Sequence, residues 1–247
     1  MPEYKRPSSL MPMSTGYCPG CMHALATRLV ADVIDELNQA DNAINVVSVG
    51  CSALNLYSWH GDVIGAAHGR APAVATGIKR CLPERLVFTY QGDGDLAAIG
   101  LAEIMSAANR GENFTVVFAN NQTYGMTGGQ MAPTTLLGQK TTTSRDGRDC
   151  LTTGYPMKMC ELISVLEAPV FVARYALNSP KGVSDAKKGI RKAFEMQMAG
   201  KGFTFIELLT NCPTNWGMAP LDTLEYMNTN TIPYFQPGVY KDAEAAK

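Results

Sequence analysis

Short β-branched runs alternate with segments of helical period along most of this chain, and that alternation restricts the fold more than any other feature. Ile44 to Val49 (INVVSV), Arg85 to Tyr90 (RLVFTY), Phe114 to Ala119 (FTVVFA), Pro169 to Tyr175 and Phe203 to Leu208 read as buried strands. From His23 to Leu37 the residues Leu25, Leu29, Val30, Val33, Ile34 and Leu37 recur at the three-to-four spacing of one helical face. Leu96 to Asn109 and Ser184 to Met198 follow the same spacing. Alternation of this kind implies an α/β fold: a mainly parallel sheet with helices on both faces and right-handed crossovers. The length of 247 residues, with no internal repeat or linker, predicts a single domain over 1–247. Within it 1–17, rich in Pro, Ser and Met, reads as an extended arm and 220–247 as a C-terminal tail. Tyr124 to Tyr155 carries many Thr and Gly residues with little periodicity, the mark of a long functional or disordered loop.

Composition narrows the function classes. Charged residues make up 17% of the chain, below the usual ~25%, which points to uncharged surface buried against other chains. The 21 Lys and Arg balance 22 Asp and Glu without any block of like charge, so neither nucleic acid nor a membrane surface is an expected partner. No apolar run is long enough to span a bilayer, and the first residues carry prolines where a secretory signal needs its apolar stretch. The expected location is cytoplasmic. Reducing conditions there, and an odd count of seven cysteines, argue against a disulfide framework and leave thiols free to hold a metal.

Gly92-Asp93-Gly94-Asp95 follows the strand RLVFTYQ and opens the helical segment LAAIGLAEIM. Ligands of open parallel sheets sit beyond the carboxyl ends of the strands, and the amino end of the next helix attracts anions. Two glycines let the backbone approach a phosphate, yet two carboxylates repel it; a divalent cation resolves the conflict, and Mg²⁺ takes carboxylate and phosphate oxygens together. Asn120-Asn121 ends the next strand at the same edge and offers amide oxygens. Gly-Asp-Gly by itself is also an ordinary turn. With Asn121 placed 28 positions after Asp93, each at a strand end, the pair resembles the diphosphate-binding half of thiamine diphosphate enzymes. By that resemblance Asp93, the Asn121 side chain and the Thr123 carbonyl hold Mg²⁺.

Cys18-Pro19-Gly20-Cys21 has three readings: a thioredoxin-like motif, half of a zinc site, or chance. Cys51, after the first strand, and Cys212, after the last, can face the same sheet edge. Cys81, Cys150 and Cys160 have no motif and read as small hydrophobes or incidental thiols. His23, His60 and, taken by itself, His68 read as structural histidines, while Arg70 suits an ion pair with substrate, a neighbouring subunit or its own chain.

The ordered set CPGC, GCS, HGRAPAVATG, GDGDLAAIG, NNQTYGMTGGQMAPTT and NCPT, spanning Tyr17 to Trp216, resembles the β subunit of a 2-oxoacid:ferredoxin oxidoreductase. The resemblance implies that Cys18, Cys21, Cys51 and Cys212 ligate one 4Fe-4S cluster; zinc with four thiolates is the alternative for the same ligands. It further implies that Val49, Gly50, Cys51, Ser52, His68, Gly69, Arg70 and Ala71 touch thiamine diphosphate. Gly94 and Asp95 then lie at the diphosphate, and Gly125, Met126 and Thr127 beyond the metal. The implied reaction is oxidative decarboxylation of a 2-oxoacid, with the acyl group passed to coenzyme A and electrons to ferredoxin. The glutamate that activates the cofactor in this family belongs to a pyrimidine-binding domain, for which this chain has no second motif. An α subunit is therefore expected as partner, with γ and ferredoxin-like subunits. Between Cys51 and His68 there is no Lys or Arg, whereas Leu54, Leu56, Tyr57 and Trp59 are apolar or aromatic. That favours a branched-chain substrate such as 2-oxoisovalerate over 2-oxoglutarate, whose second carboxylate wants a cation, with pyruvate a further alternative. A zinc-stabilised binding or regulatory subunit is the competing reading, and it leaves Asp93, Asn121 and the GMTGGQ loop without purpose.

Overall fold

The computed structural model describes residues 5–245. Among them nine strands form: β1 (Ala43–Val47), β2 (Asp62–Gly65), β3 (Leu86–Gly92), β4 (Thr115–Asn120), β5 (Thr123–Tyr124), β6 (Gln130–Met131), β7 (Phe171–Ala176), β8 (Thr204–Leu209) and β9 (Gly238–Asp242). Seven make one sheet in the order β2-β1-β3-β4-β8-β7-β9, and β5 pairs with β6 alone. Every neighbouring pair of the large sheet is parallel except β7 with β9. All five strands expected from the sequence are present. The edge strand β2 was not expected, because DVIG is exposed along most of its length and lacks the apolar run of the central strands.

Side-chain alternation along the strands separates two cores. Phe88, Tyr90, Val117 and Ala119 pack with the helices His23–Glu36 and Pro180–Met198 on one face. Val87, Val116 and Phe118 pack with the helices Ala71–Cys81, Leu101–Asn109 and Met159–Ser164 on the other. The central strands are buried on both faces, so apolar residues dominate their sequences. Among the described residues no helix is long and apolar enough to cross a membrane.

Residues 5–17, the described part of the expected arm, precede the first helix. This part is tied down where Ser9 Oγ donates to Asp35 and the His60 N–H donates to the Ser9 carbonyl at 2.9 Å. Residues 220–245 differ from the expected tail. They form the helix Pro220–Tyr226, two further turns and β9, with Met227 and Phe235 fully buried. Their apolar residues are too sparse for a periodic signal, yet each finds a partner in the body of the fold. Arg174 of β7 is the anchor: fully buried, it donates Nε to Glu207 at 2.8 Å and NH2 to Glu161 at 2.6 Å, under the ring of Tyr240 from β9. Arg174→Met leaves Glu207, itself fully buried, without its cation. The expected loss is about 3–5 kcal/mol of stability, read from the denaturant midpoint. A loss below about 1 kcal/mol would show that the pair is dispensable.

Candidate functional site

The chain leaves β1 for β2 at one edge, then returns past β1 to place β3 on its other side, so the strand order reverses between β1 and β3. The crevice at such a reversal is where open α/β sheets bind ligands. The segment after β1 turns at Gly50, whose φ of 113° suits glycine, and delivers Cys51 and Ser52. After β3, Gly92-Asp93 leads into a π-helical turn, Gly94–Ile99, in which the Gly100 N–H donates to the Asp95 carbonyl at 2.8 Å. The helix expected from Leu96 is thereby split at Gly100. Wide turns of this kind mark functional sites because they re-aim the residues around them. A Cβ at Gly94 would lie 2.3 Å from the Tyr124 ring, so only glycine lets that ring pack over the turn.

Val49 to Ser52, His68, Gly92 to Asp95, Asn121 and Thr123 to Thr127 line one cleft. The structure thus brings together most of the residues singled out from the sequence. Gly69, Arg70 and Ala71 stand apart from it. The Gly69 N–H donates to Asp95, Arg70 pairs with Glu103, and Ala71 is buried in the core.

Asp93 is 2% exposed; its carboxylate accepts from the Gly94 N–H at 2.8 Å and from Thr134 Oγ1 at 2.7 Å. Burial pushes its pKa up to about 6 against those hydrogen bonds. Asn121 and Thr123 are buried beside it, joined by an N–H bond from Thr123 to Asn121 Oδ1 at 3.3 Å. A buried carboxylate that water does not stabilise, set among neutral oxygen donors, fits a hard divalent cation. Asp95 plays a different part. Its carboxylate accepts from Ser48 Oγ at 2.8 Å, the Gly69 N–H at 2.6 Å, Gln91 Nε2 at 2.6 Å and His68 Nδ1. Those oxygens are committed to protein donors, so Asp95 ties the loops after β1 and β2 to β3 and fixes His68 at the cleft.

The long loop Tyr124 to Tyr155 is ordered, and sequence reasoning missed what orders it. Arg148, 6% exposed, donates to the carbonyls of Ala132, Pro133, Thr135, Thr153, Gly154 and Tyr155 at 2.7–3.3 Å. This clamp holds the turn that presents Thr134 to Asp93. No local pattern around Arg148 carries that signal, because its partners are backbone oxygens.

Cys18, Cys21, Cys51 and Cys212 line a second cavity, which shares His23, Cys51, Asn121, Gly125 and Met126 with the cleft. A Cβ at Gly125 would lie 3.2 Å from Cys51 Sγ and 3.7 Å from Cys212 Sγ. Burial and then the neighbouring thiols push Cys51 up to about 12, and burial pushes Cys21 up to about 11. Among the described residues, no group of three or more His, Cys, Asp or Glu side chains closes around a single ion. Cys160 is buried in the core, Cys150 is half-buried and Cys81 exposed, and none of them lines either cavity. His23 is buried as expected, bonded through Nδ1 to the Tyr90 hydroxyl at 2.7 Å, with burial lowering its pKa to about 4. It also forms part of the wall of both cavities, which helical periodicity alone does not reveal.

The apolar residues expected to shape a substrate pocket are placed elsewhere. Trp59 is 5% exposed and packs on Phe88 in the core, Leu54 faces the cysteine cavity, and Leu56 and Tyr57 are on the surface. None of the four lines the cleft.

The cleft, its buried acid and the adjacent thiols define a thiamine diphosphate-binding domain. The family model described as "Thiamine pyrophosphate enzyme, C-terminal TPP binding domain" matches residues 48–208. The chain is 48% identical over 212 residues to the ketoisovalerate oxidoreductase subunit VorA of Methanothermobacter marburgensis, covering 86% of this chain and 44% of that protein. It is 36% identical to the 2-oxoglutarate synthase subunit KorB of Methanocaldococcus jannaschii, covering 87% and 78% respectively. A structure described as 2-oxoglutarate:ferredoxin oxidoreductase from Magnetococcus marinus with 2-oxoglutarate, coenzyme A and succinyl-CoA bound superposes with a TM-score of 0.81 at 25% identity. It covers 98% of this chain and 86% of its own. The chain belongs to the thiamine diphosphate-binding β subunits of the 2-oxoacid:ferredoxin oxidoreductases. It spans less than half the length of the ketoisovalerate oxidoreductase relatives.

Proposed function

We propose that this chain carries the cofactor centre of an enzyme that oxidatively decarboxylates a branched-chain 2-oxoacid such as 2-oxoisovalerate, passing the acyl group to coenzyme A and electrons to ferredoxin. The observation that carries the reading is the shared wall: Cys51, Asn121, Gly125, Met126 and His23 border both the cleft over Asp93 and the cavity ringed by four thiols. Thiamine diphosphate supplies an electron sink for decarboxylation and a 4Fe-4S cluster supplies one-electron transfer.

On this reading Asp93, Asn121 and the Thr123 carbonyl hold Mg²⁺, and Gly94 lets the diphosphate approach the π-helical turn. Val49 to Ser52, His68 and Gly125 to Thr127 shape the rest of the cleft. Ser52 Oγ is buried there without a protein partner and is free to bond the cofactor. Cys18, Cys21, Cys51 and Cys212, which line one cavity, hold the cluster through their four thiolates. The high thiol pKa values mean that assembly releases protons and favours neutral to alkaline pH. Exposed Val49, Ile99 and Met126 stand at or beside the cleft, apolar surface that suits the α subunit expected to supply the pyrimidine side of the cofactor site. The γ and ferredoxin-like subunits belong to the same proposed assembly. The branched-chain substrate is supported by the ketoisovalerate oxidoreductase relatives at 48% identity.

The test is anaerobic purification of the assembled enzyme, with iron and sulfide analysis, then ferredoxin reduction on 2-oxoisovalerate, 2-oxoglutarate and pyruvate with coenzyme A. About four iron and four sulfide at this chain, and the highest kcat/KM on 2-oxoisovalerate, are the expected results. One zinc with no turnover would sink the enzymatic reading, and preference for 2-oxoglutarate would sink the substrate.

A further inference from the structure

We infer that Asn215 tunes the reduction potential of the cluster held by Cys18, Cys21, Cys51 and Cys212, through hydrogen bonds to the Cys212 sulfur. The inference rests on the cluster reading above and goes beyond it to a residue outside the ligand set. Asn215 lies three positions after Cys212, in the short helix Pro213–Trp216, so the turn folds its side chain back over the thiol. Nδ2 stands 3.3 Å from Cys212 Sγ, and the same nitrogen donates to the Gly125 carbonyl at 2.8 Å. A carbonyl only accepts, so that second bond assigns the NH₂ group of the amide to the side facing the sulfur. The backbone N–H of Asn215 also donates to Cys212, giving this sulfur two donors from one residue. Packing holds the amide in place from behind, where a Cβ at Gly129 would lie 2.9 Å from Asn215 Oδ1.

The energetics follow from charge. A one-electron reduction adds negative charge that the ligand sulfurs share, and an N–H donor stabilises the more negative form more strongly. Removing the donor therefore shifts the equilibrium toward the oxidised cluster and lowers the potential. Asn215 also joins the cluster to the loop at Gly125 that borders the cofactor cleft, so it acts as a positioning and tuning residue without touching substrate.

The test is a dye-mediated, EPR-monitored redox titration of the anaerobically purified assembled enzyme, wild type against Asn215→Leu and Asn215→Asp. Asn215→Leu removes the side-chain donor and is expected to shift the one-electron equilibrium about tenfold, or about 59 mV, to lower potential at unchanged iron content. Asn215→Asp keeps the side-chain shape, replaces the donor with a negative charge and is expected to move the potential further the same way. It also serves if the leucine variant fails to fold. Loaded variants whose potential matches the wild type overturn the inference. Wild-type enzyme without iron and sulfide at this chain overturns the functional reading itself, and the inference with it.

Discussion

Asp93→Asn is expected to reduce 2-oxoacid turnover by at least about a thousandfold in the assembled enzyme while making the metal-free protein more stable at neutral pH. Both effects come from one buried carboxylate. Its folded pKa of about 6 lies above the ordinary aspartate value, so the native state holds its proton to higher pH than the unfolded chain does. The unfolded state therefore binds fewer protons between about pH 4 and 6, and stability falls as pH rises through that window. Above it the cost is complete, on the order of 3 kcal/mol. Asparagine carries no charge, keeps one oxygen to accept the Gly94 N–H and turns its amide toward the Thr134 hydroxyl, which can accept as well as donate. Melting curves of chelator-treated protein at pH 5 and pH 7 should show the variant gaining on wild type mainly at pH 7, beside loss of Mg²⁺-dependent cofactor binding. An equal change at both pH values would refute the electrostatic account, and undiminished turnover would refute the metal role.

Cys51→Ser is the second large effect. Cys51 is the thiol that borders both the cleft and the cysteine cavity, and its removal breaks the ring where the two meet. Serine is nearly the same size but offers a hard, poorly ionised oxygen in place of a soft thiolate. Iron content is expected to fall to less than half, with ferredoxin-linked turnover at background, while the secondary structure is unchanged. Cys81→Ser, at an exposed thiol away from both cavities, is the matched control and should keep its iron. If the Cys51 variant retained four iron and full electron transfer, another residue would have to be the ligand.

The central strands and the long helices were legible in the sequence because they rest on local rules. A strand buried on both faces is mostly apolar, as FTVVFA is, and a helix that packs by one face repeats every three to four residues, as His23–Glu36 does. The Gly92-Asp93-Gly94 turn was legible for the same reason: it joins a strand end to a helical start within four residues. Other features escaped local reading. Asp95, which lines the cleft, also accepts from four protein donors, because Ser48 after β1, His68 and Gly69 after β2 and Gln91 of β3 converge on it. Trp59 looked like pocket and became core, 5% exposed and packed on Phe88, a contact between distant segments that local sequence does not show.

Local patterns in the chain therefore set the α/β class and picked out the strand-end Gly-Asp-Gly motif and the four thiols to which the proposed metal, diphosphate and cluster are assigned. Tertiary structure alone decided that Cys18 and Cys21 from before the first helix, Cys51 after β1 and Cys212 after β8 ring one cavity, and that this cavity shares a wall with the cleft. It also decided that residues 220–245 close the sheet over the buried Arg174. The physical reason is the same in each case: periodicity and turn chemistry act over a few residues, whereas these contacts exist only once parallel crossovers bring distant strand ends to one edge.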